Sequence, residues 1–439
     1  MREILAEAKE LSKERYMWVI FCVLGVFLLP EYLAPFSAVA ALVLAHNEAK
    51  AQGCLSFRFG ETGRRTAFFI AGMLLTVTFS TAPLSSVATT AMWLLMATVY
   101  LALLAAITDK ERLCRLFQAL TLCLGFLGLL GCIEYFGCSC LGWGRKALQF
   151  WNFLDEPLLK LLPIDTHLYS AGTRVAATYT NPNIYAEAMV FLLPLSVYCI
   201  RTARHTASRV LFSLCLLAGI WGTAFSFSRA SYFVMVGLLF LFVLYLIPRV
   251  KRPWGGVIFV AAVALVALIA LTPNIFSERM QTLNSGDESV SERTQLWGVA
   301  LSAITERPIF GYGAGVQPAT EIMKAAGLPT VPHAHSLYLE LLIEGGALLL
   351  MLFFLPLFNI MYTQGDTLLR KRHQPLLGFS VMVSLLGLMA FGLADFPLMT
   401  PKLVGIWWIL FALSDISGAF YANQPLGRLI EKKEDSSDA

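Results

Sequence analysis

The chain has 439 residues, of which 57% are hydrophobic and only 14% charged, with a mean hydropathy of +0.67. That is more apolar material than a water-soluble domain tolerates, so the composition excludes a soluble globular protein and implies an integral membrane protein. The net charge of +4 matters less than where the charges sit, and the nine cysteines and six histidines show neither zinc-ligand nor disulfide spacing.

Apolar windows of the length that a bilayer-crossing helix needs fall at about 16–30, 31–46, 67–81, 87–107, 115–138, 183–201, 209–226, 231–248, 254–272, 336–362, 374–394 and 401–420. The predicted fold is therefore an all-α polytopic membrane protein of about twelve transmembrane helices, its first two divided at Pro30. A polar segment precedes the first run and a second run follows at once, so no cleavable signal is read. With the amino terminus placed in the cytoplasm, 23 of the 33 Lys and Arg fall in cytoplasmic segments, and none of those segments lacks them. This predicts one multi-pass domain over 1–439 with both termini cytoplasmic. The two long connections, 139–182 and 273–335, then face outward, and a site is to be sought there.

Four outward stretches carry chemistry. In RVAATYTNPNIYAEAM, from Arg174, Asn181, Pro182 and Asn183 supply helix-start residues. In SFSRASYF, Arg229 is flanked by Ser226, Ser228 and Ser231; it either anchors a helix end at the headgroups or, with small hydroxyl neighbours, grips a phosphate. In SVSERTQLWGVALSAITERPIFGYGAG, Ser289 and Glu292 fit a capping box, and apolar residues at helical spacing run to Arg307-Pro308. Arg293 then lies in the first turn, where the helix dipole disfavours a cation; it is a solvated surface residue or an anion ligand placed despite that cost. In PHAHSLYLELLIEGG, His333 and His335 are about 200° apart on a helix and cannot share a metal there, although a strand would align them. Pro332 predicts a helix starting just after it, with His335 in the first turn, where a neutral imidazole is favoured and ready to accept a proton. Glu340 and Glu344 share a protein-facing side of that helix.

The ordered set R174-V-A-A-T-Y-T-N181-P182-N183, S226-F-S228-R229, R293-T-Q-L-W297, R307-P308-I-F-G311-Y-G313 and H335-S-x-x-L339-x-x-x-x-E344-x-G346 resembles the O-antigen ligase and O-antigen polymerase family over roughly residues 170–400. The resemblance implies a GT-C-type glycosyltransferase. Such an enzyme takes a glycan from undecaprenyl pyrophosphate at the outer face of the cytoplasmic (inner) membrane and joins it to a lipid-linked or glycan acceptor. It aligns Arg229 with the arginine after the serine-rich turn, Arg293 with the arginine heading the amphipathic loop helix and His335 with the histidine at the start of the following span. Ser336 stands where many members have Asn. The chemistry suits these side chains: the arginines neutralise charge on the leaving diphosphate, and His335 takes the hydroxyl proton. The expected reaction is inverting and needs no metal or other cofactor. His333, Arg174 and Asp395 are candidates for contacting the acceptor or supporting the site; Asp395 is equally readable as a helix-end residue.

A repeat-unit polymerase of the same family fits the same motifs. A transporter or lipid-glycan flippase fits the spans alone but not the absence of internal repeats. The expected partners are the lipid-linked donor, the acceptor and membrane lipids, with no nucleic acid.

Overall fold

The computed structural model describes residues 14–51, 54–57, 59–142, 174–250, 254–271, 288–328, 333–369, 375–421 and 430–432. Among them the helices are α1 (Arg15–Leu28), α2 (Ala34–Ala51), α3 (Glu61–Val77), α4 (Pro83–Ala106), α5 (Lys110–Cys140), α6 (Pro182–Thr202), α7 (Thr206–Phe225), α8 (Arg229–Leu246), α9 (Trp254–Leu271), α10 (Glu288–Glu306), α11 (Val316–Ala325), α12 (Leu337–Leu369), α13 (Pro375–Phe391) and α14 (Pro401–Tyr421). A short antiparallel pairing of β1 (Cys54–Phe57) with β2 (Ile430–Lys432) adds no layer. Of the expected outer loops, 143–173 of the first and 273–287 and 329–332 of the second lie outside the described residues.

The prediction of about twelve transmembrane helices is not met. Among the described residues, seven helices, α4 to α8, α12 and α14, are long and apolar enough to cross a membrane. The reason is length and polarity rather than position. With 14 and 17 residues, α1 and α13 rise about 21 and 25 Å, short of a hydrocarbon core of about 30 Å. The apolar described part of α9 is likewise short. In α2 the polar residues His46, Asn47, Glu48 and Lys50 interrupt the apolar run, and in α3 Glu61, Arg64 and Arg65 do.

Two helices form the centre. Of their apolar windows, 83% of α6 and 78% of α14 is buried, against 28% of α8, which is left to face lipid. In α14, Trp407 and Trp408 are fully enclosed, yet each indole N–H has a carbonyl, Pro397 and Trp93 respectively, so burial costs no hydrogen bond. Asp415 lies further along α14 and receives the backbone N–H groups of Thr62 and Gly63 and the Tyr100 hydroxyl at 2.9, 3.1 and 2.7 Å. It thereby caps the first turn of α3, whose own N-cap is Gly60. Helices α5 and α7 approach backbone to backbone: a Cβ on Gly128 would overlap the Ala218 carbonyl, the small-residue contact by which helices associate in lipid.

The feature that positions the site is a break in α12. Gly345 (φ −140°, ψ 16°) and Gly346 (φ 62°, ψ −160°) leave helical geometry inside an otherwise continuous 33-residue helix. The loop after α10 fills the gap. Tyr312 and Gly313 donate to the carbonyls of Ile343 and Glu344 at 2.8 Å each, while Ala347 and Leu348 donate to those of Pro308 and Ile309 at 2.8 and 3.3 Å. Two sequence stretches thirty residues apart, RPIFGYG and EGG, are thus the two halves of one joint.

Gly346 has a left-handed φ, and a Cβ there would collide with the Ile309 backbone. Gly346→Ala is expected to lower stability by about 2 kcal/mol or more, since the left-handed backbone alone costs about 1–2. Gly365→Ala, in the same helix with open space around it, should be neutral or stabilising by up to about 1 kcal/mol. Thermal unfolding of both purified variants in detergent checks the contrast; equal effects would refute the role of the joint.

Candidate active site

The carboxyl half of the joint begins at the histidines. Contrary to the sequence reading, His335 is not in the first turn of α12: the helix starts at Leu337, and His335 precedes it with φ 48°. A non-glycine residue in that conformation costs about 1–2 kcal/mol and persists only where its surroundings impose it. They do so through the preceding peptide. The Ala334 N–H donates to Glu340 Oε2 at 2.8 Å, and the Ala334 carbonyl accepts from Trp297 Nε1 at 3.0 Å. His335's own N–H donates to His333 Nδ1 at 3.1 Å. The two rings consequently meet edge to face, 4.2 Å between centroids.

Asp395, in the turn after α13, closes the group. Its Oδ1 is 3.2 Å from His335 Nδ1 and 3.9 Å from His333 Nε2, and also accepts from the Phe396 N–H at 2.9 Å. Its Oδ2 accepts from Asn183 Nδ2 at 2.9 Å. Asn183 is fixed in turn at the start of α6: its N–H donates to the N-cap Asn181 at 2.8 Å, and its Oδ1 accepts from Arg174 at 2.7 Å. Arg174 also donates to the Ser226 carbonyl at 2.9 Å. One guanidinium therefore ties the turn before α8 to the carboxylate beside the histidines.

The electrostatics separate the partners. Burial pushes the His333 imidazole down to about 3, with His335 and Arg293 acting in the same sense and Asp395 opposing, so His333 is neutral near pH 7. Burial alone would raise Asp395, but the hydrogen bond and charge of His335, with His333 and Arg293, hold it well below the usual carboxylate range. The result is an ionised carboxylate bonded to an imidazole. If His335 donates Nδ1–H to Asp395, its Nε2 is left as a proton acceptor.

Of the sequence candidates, His333, His335, Asp395 and Arg174 are joined directly or through Asn183. Arg293 comes close enough for its charge to act on His333 and Asp395. It lies in the second turn of α10, not the first, because the helix begins at Glu288 and takes in Ser289 of the expected capping box. Arg229 opens α8 at the same end of the bundle, beside the turn that Arg174 holds, and its neighbour Ala230 packs against the apolar cluster that includes Ala186 and Phe391. The serines that flank Arg229 pack inside the protein. All three are buried, Ser226 and Ser231 donating to the carbonyls of Thr223 and Ser228 at 2.6 and 2.8 Å and Ser226 Oγ receiving the Ser228 N–H at 3.2 Å.

Three residues escape the sequence reading as parts of the site. Asn183 reads there only as helix-start chemistry, Glu340 only as a protein-facing glutamate, and Trp297 only as a letter in a motif. The metal expectation also changes footing. No carboxylate or Cys stands at ligand spacing from the histidines in sequence, yet ligand atoms of His333, His335 and Asp395 lie within 4.8 Å of one another. A divalent cation placed among them would replace the His335–Asp395 hydrogen bond.

No curated protein matches the chain. Residues 214–354, which contain Arg229, Arg293, Trp297, both histidines and the two halves of the α12 joint, match the model of the O-Antigen ligase family, a similarity that covers about a third of the chain.

Proposed function

We propose that the protein transfers a glycan from an undecaprenyl-pyrophosphate carrier to an acceptor sugar at the outer face of the cytoplasmic membrane, in cell-surface polysaccharide synthesis. The observation that carries this reading is the His335–Asp395 pair with the Arg293 charge beside it, at helix ends of a membrane bundle. The site in this reading is formed partly by the segment 273–335, on the outward side.

The reaction follows from the side chains. Asp395 orients His335 so that Nε2 takes the proton from the acceptor hydroxyl as that oxygen attacks the anomeric carbon. The bond from that carbon to the diphosphate breaks, and the leaving charge is neutralised by the guanidinium groups of Arg293 and Arg229. One in-line displacement inverts the anomeric centre. The His335 side chain is 27% exposed, so the proton can pass on to water. Arg174 acts at one remove by holding Asn183 on Asp395, and His333 by receiving the His335 N–H. Two guanidiniums and a general base supply what a divalent ion would otherwise provide, and the reaction is metal-independent.

Within this chemistry a ligase passes the chain to a lipid core or protein acceptor, and a polymerase passes it to another repeat unit. The donor half of the site serves both.

Two measurements test the proposal. With purified protein and lipid-linked donor, His335→Ala should abolish transfer while donor binding persists, and Arg293→Gln should weaken donor binding by about 2 kcal/mol, near thirtyfold; full activity in His335→Ala would remove the base. Exhaustive chelation should leave the rate unchanged. A loss that added divalent ion restores would instead put a metal on the His333–His335–Asp395 group.

A further inference from the structure

Among the described residues, Trp297 is the one aromatic side chain that donates a hydrogen bond to the loop carrying the histidines. Its Nε1 is committed to the Ala334 carbonyl, between His333 and His335. The residue is nevertheless 37% exposed, while its neighbours on α10, Leu296 and Ala300, are fully buried. Among the described residues no other aromatic ring packs against it. A tryptophan with its polar edge pinned and its apolar face open is a flat surface at a fixed angle.

Its position says what that surface meets. Arg293 and Trp297 are four residues apart and lie on one stripe of α10. Along a helix that spacing is about 6 Å, the scale that separates a phosphate from the sugar ring joined to it. With Arg293 on the diphosphate and His335 beside the reacting bond, the pyranose that contains the anomeric carbon falls over the indole. The C–H bonds on one side of a pyranose suit the electron-rich face of an aromatic ring.

Resting on the proposed function, we infer that Trp297 is the platform for the first sugar of the lipid-linked donor, the pyranose directly joined to the diphosphate. The hydrogen bond to Ala334 sets the angle of the platform. The same bond couples the helix that bears Arg293 to the loop that bears His335.

The test compares binding of two probes to the full-length protein in lipid nanodiscs: undecaprenyl pyrophosphate bearing a single N-acetylhexosamine, and the bare carrier. Wild type should favour the sugar-bearing probe roughly tenfold. Trp297→Leu should bring the ratio close to one while affinity for the bare carrier stays within about twofold. Trp297→Phe, which keeps a ring but loses the N–H, should retain most of the ratio; thermal unfolding confirms that both variants are folded. A wild-type ratio near one, or an unchanged ratio in Trp297→Leu, overturns the platform. An equal loss for both probes makes Trp297 a latch only. A defect confined to acceptor KM assigns the ring to the other substrate and overturns the donor placement. Failure of folded wild type to bind either carrier refutes the proposed function itself.

Discussion

In an apolar medium every backbone N–H and C=O must find a partner inside the protein, because lipid offers none. At Gly345 and Gly346, α12 departs from this rule, and the segment 308–313 restores it by exchanging four backbone hydrogen bonds across the break. That exchange governs the rest of the site. It fixes the end of α10 against the first half of α12, so that Trp297 reaches Ala334 and Arg293 reaches the vicinity of Asp395. The break is thus not a defect in a long helix. It is the joint at which an apolar span accepts a surface helix.

The polar groups at this end of the bundle are expensive to bury, and they are arranged so that each cost is offset by a named partner. Arg174 meets Asn183 and the Ser226 carbonyl; Asn183 meets Asp395; Asp395 meets His335 and the Phe396 N–H. Removing any link leaves a buried donor or acceptor unmatched, the more costly direction of loss. Such a chain also explains why His335 is held in a left-handed conformation. With the Ala334 peptide gripped on both its N–H and its carbonyl, and the His335 N–H taken by His333, the backbone has no cheaper route to α12.

A second cluster at the carboxyl-terminal side of α14 shows the same economy. Asp415 satisfies the exposed N–H groups of a helix whose N-cap is a glycine and cannot do so itself. The buried glutamates of the spans are not all matched in this way: Glu187 Oε2 and Glu340 Oε1 have no hydrogen-bond partner among the described residues. Both lie within a turn or so of the groups around Asp395 and Ala334, where the polar chain is densest.

The sequence by itself determined a membrane-embedded helical protein and most of the places where helices occur, because hydropathy and helix-start chemistry are local properties, and it singled out the motif residues His335, Arg229 and Arg293 as candidates. Asn181 reads correctly as a cap for the same reason. Span number was not local: it depends on where each helix ends, and windows that look alike yield, among the described residues, seven membrane-length helices rather than twelve. Helical phase was also misleading at the histidines, since the segment is not helical and its angle is imposed by Trp297 and Glu340. Only the tertiary structure decided that Asp395, sixty residues from His335, supplies the carboxylate, that Asn183 and Arg174 hold it, and that the serines around Arg229 turn inward. Those are contacts between elements distant in the chain, set by how the helices pack, and residue spacing along a strand of sequence carries no record of them.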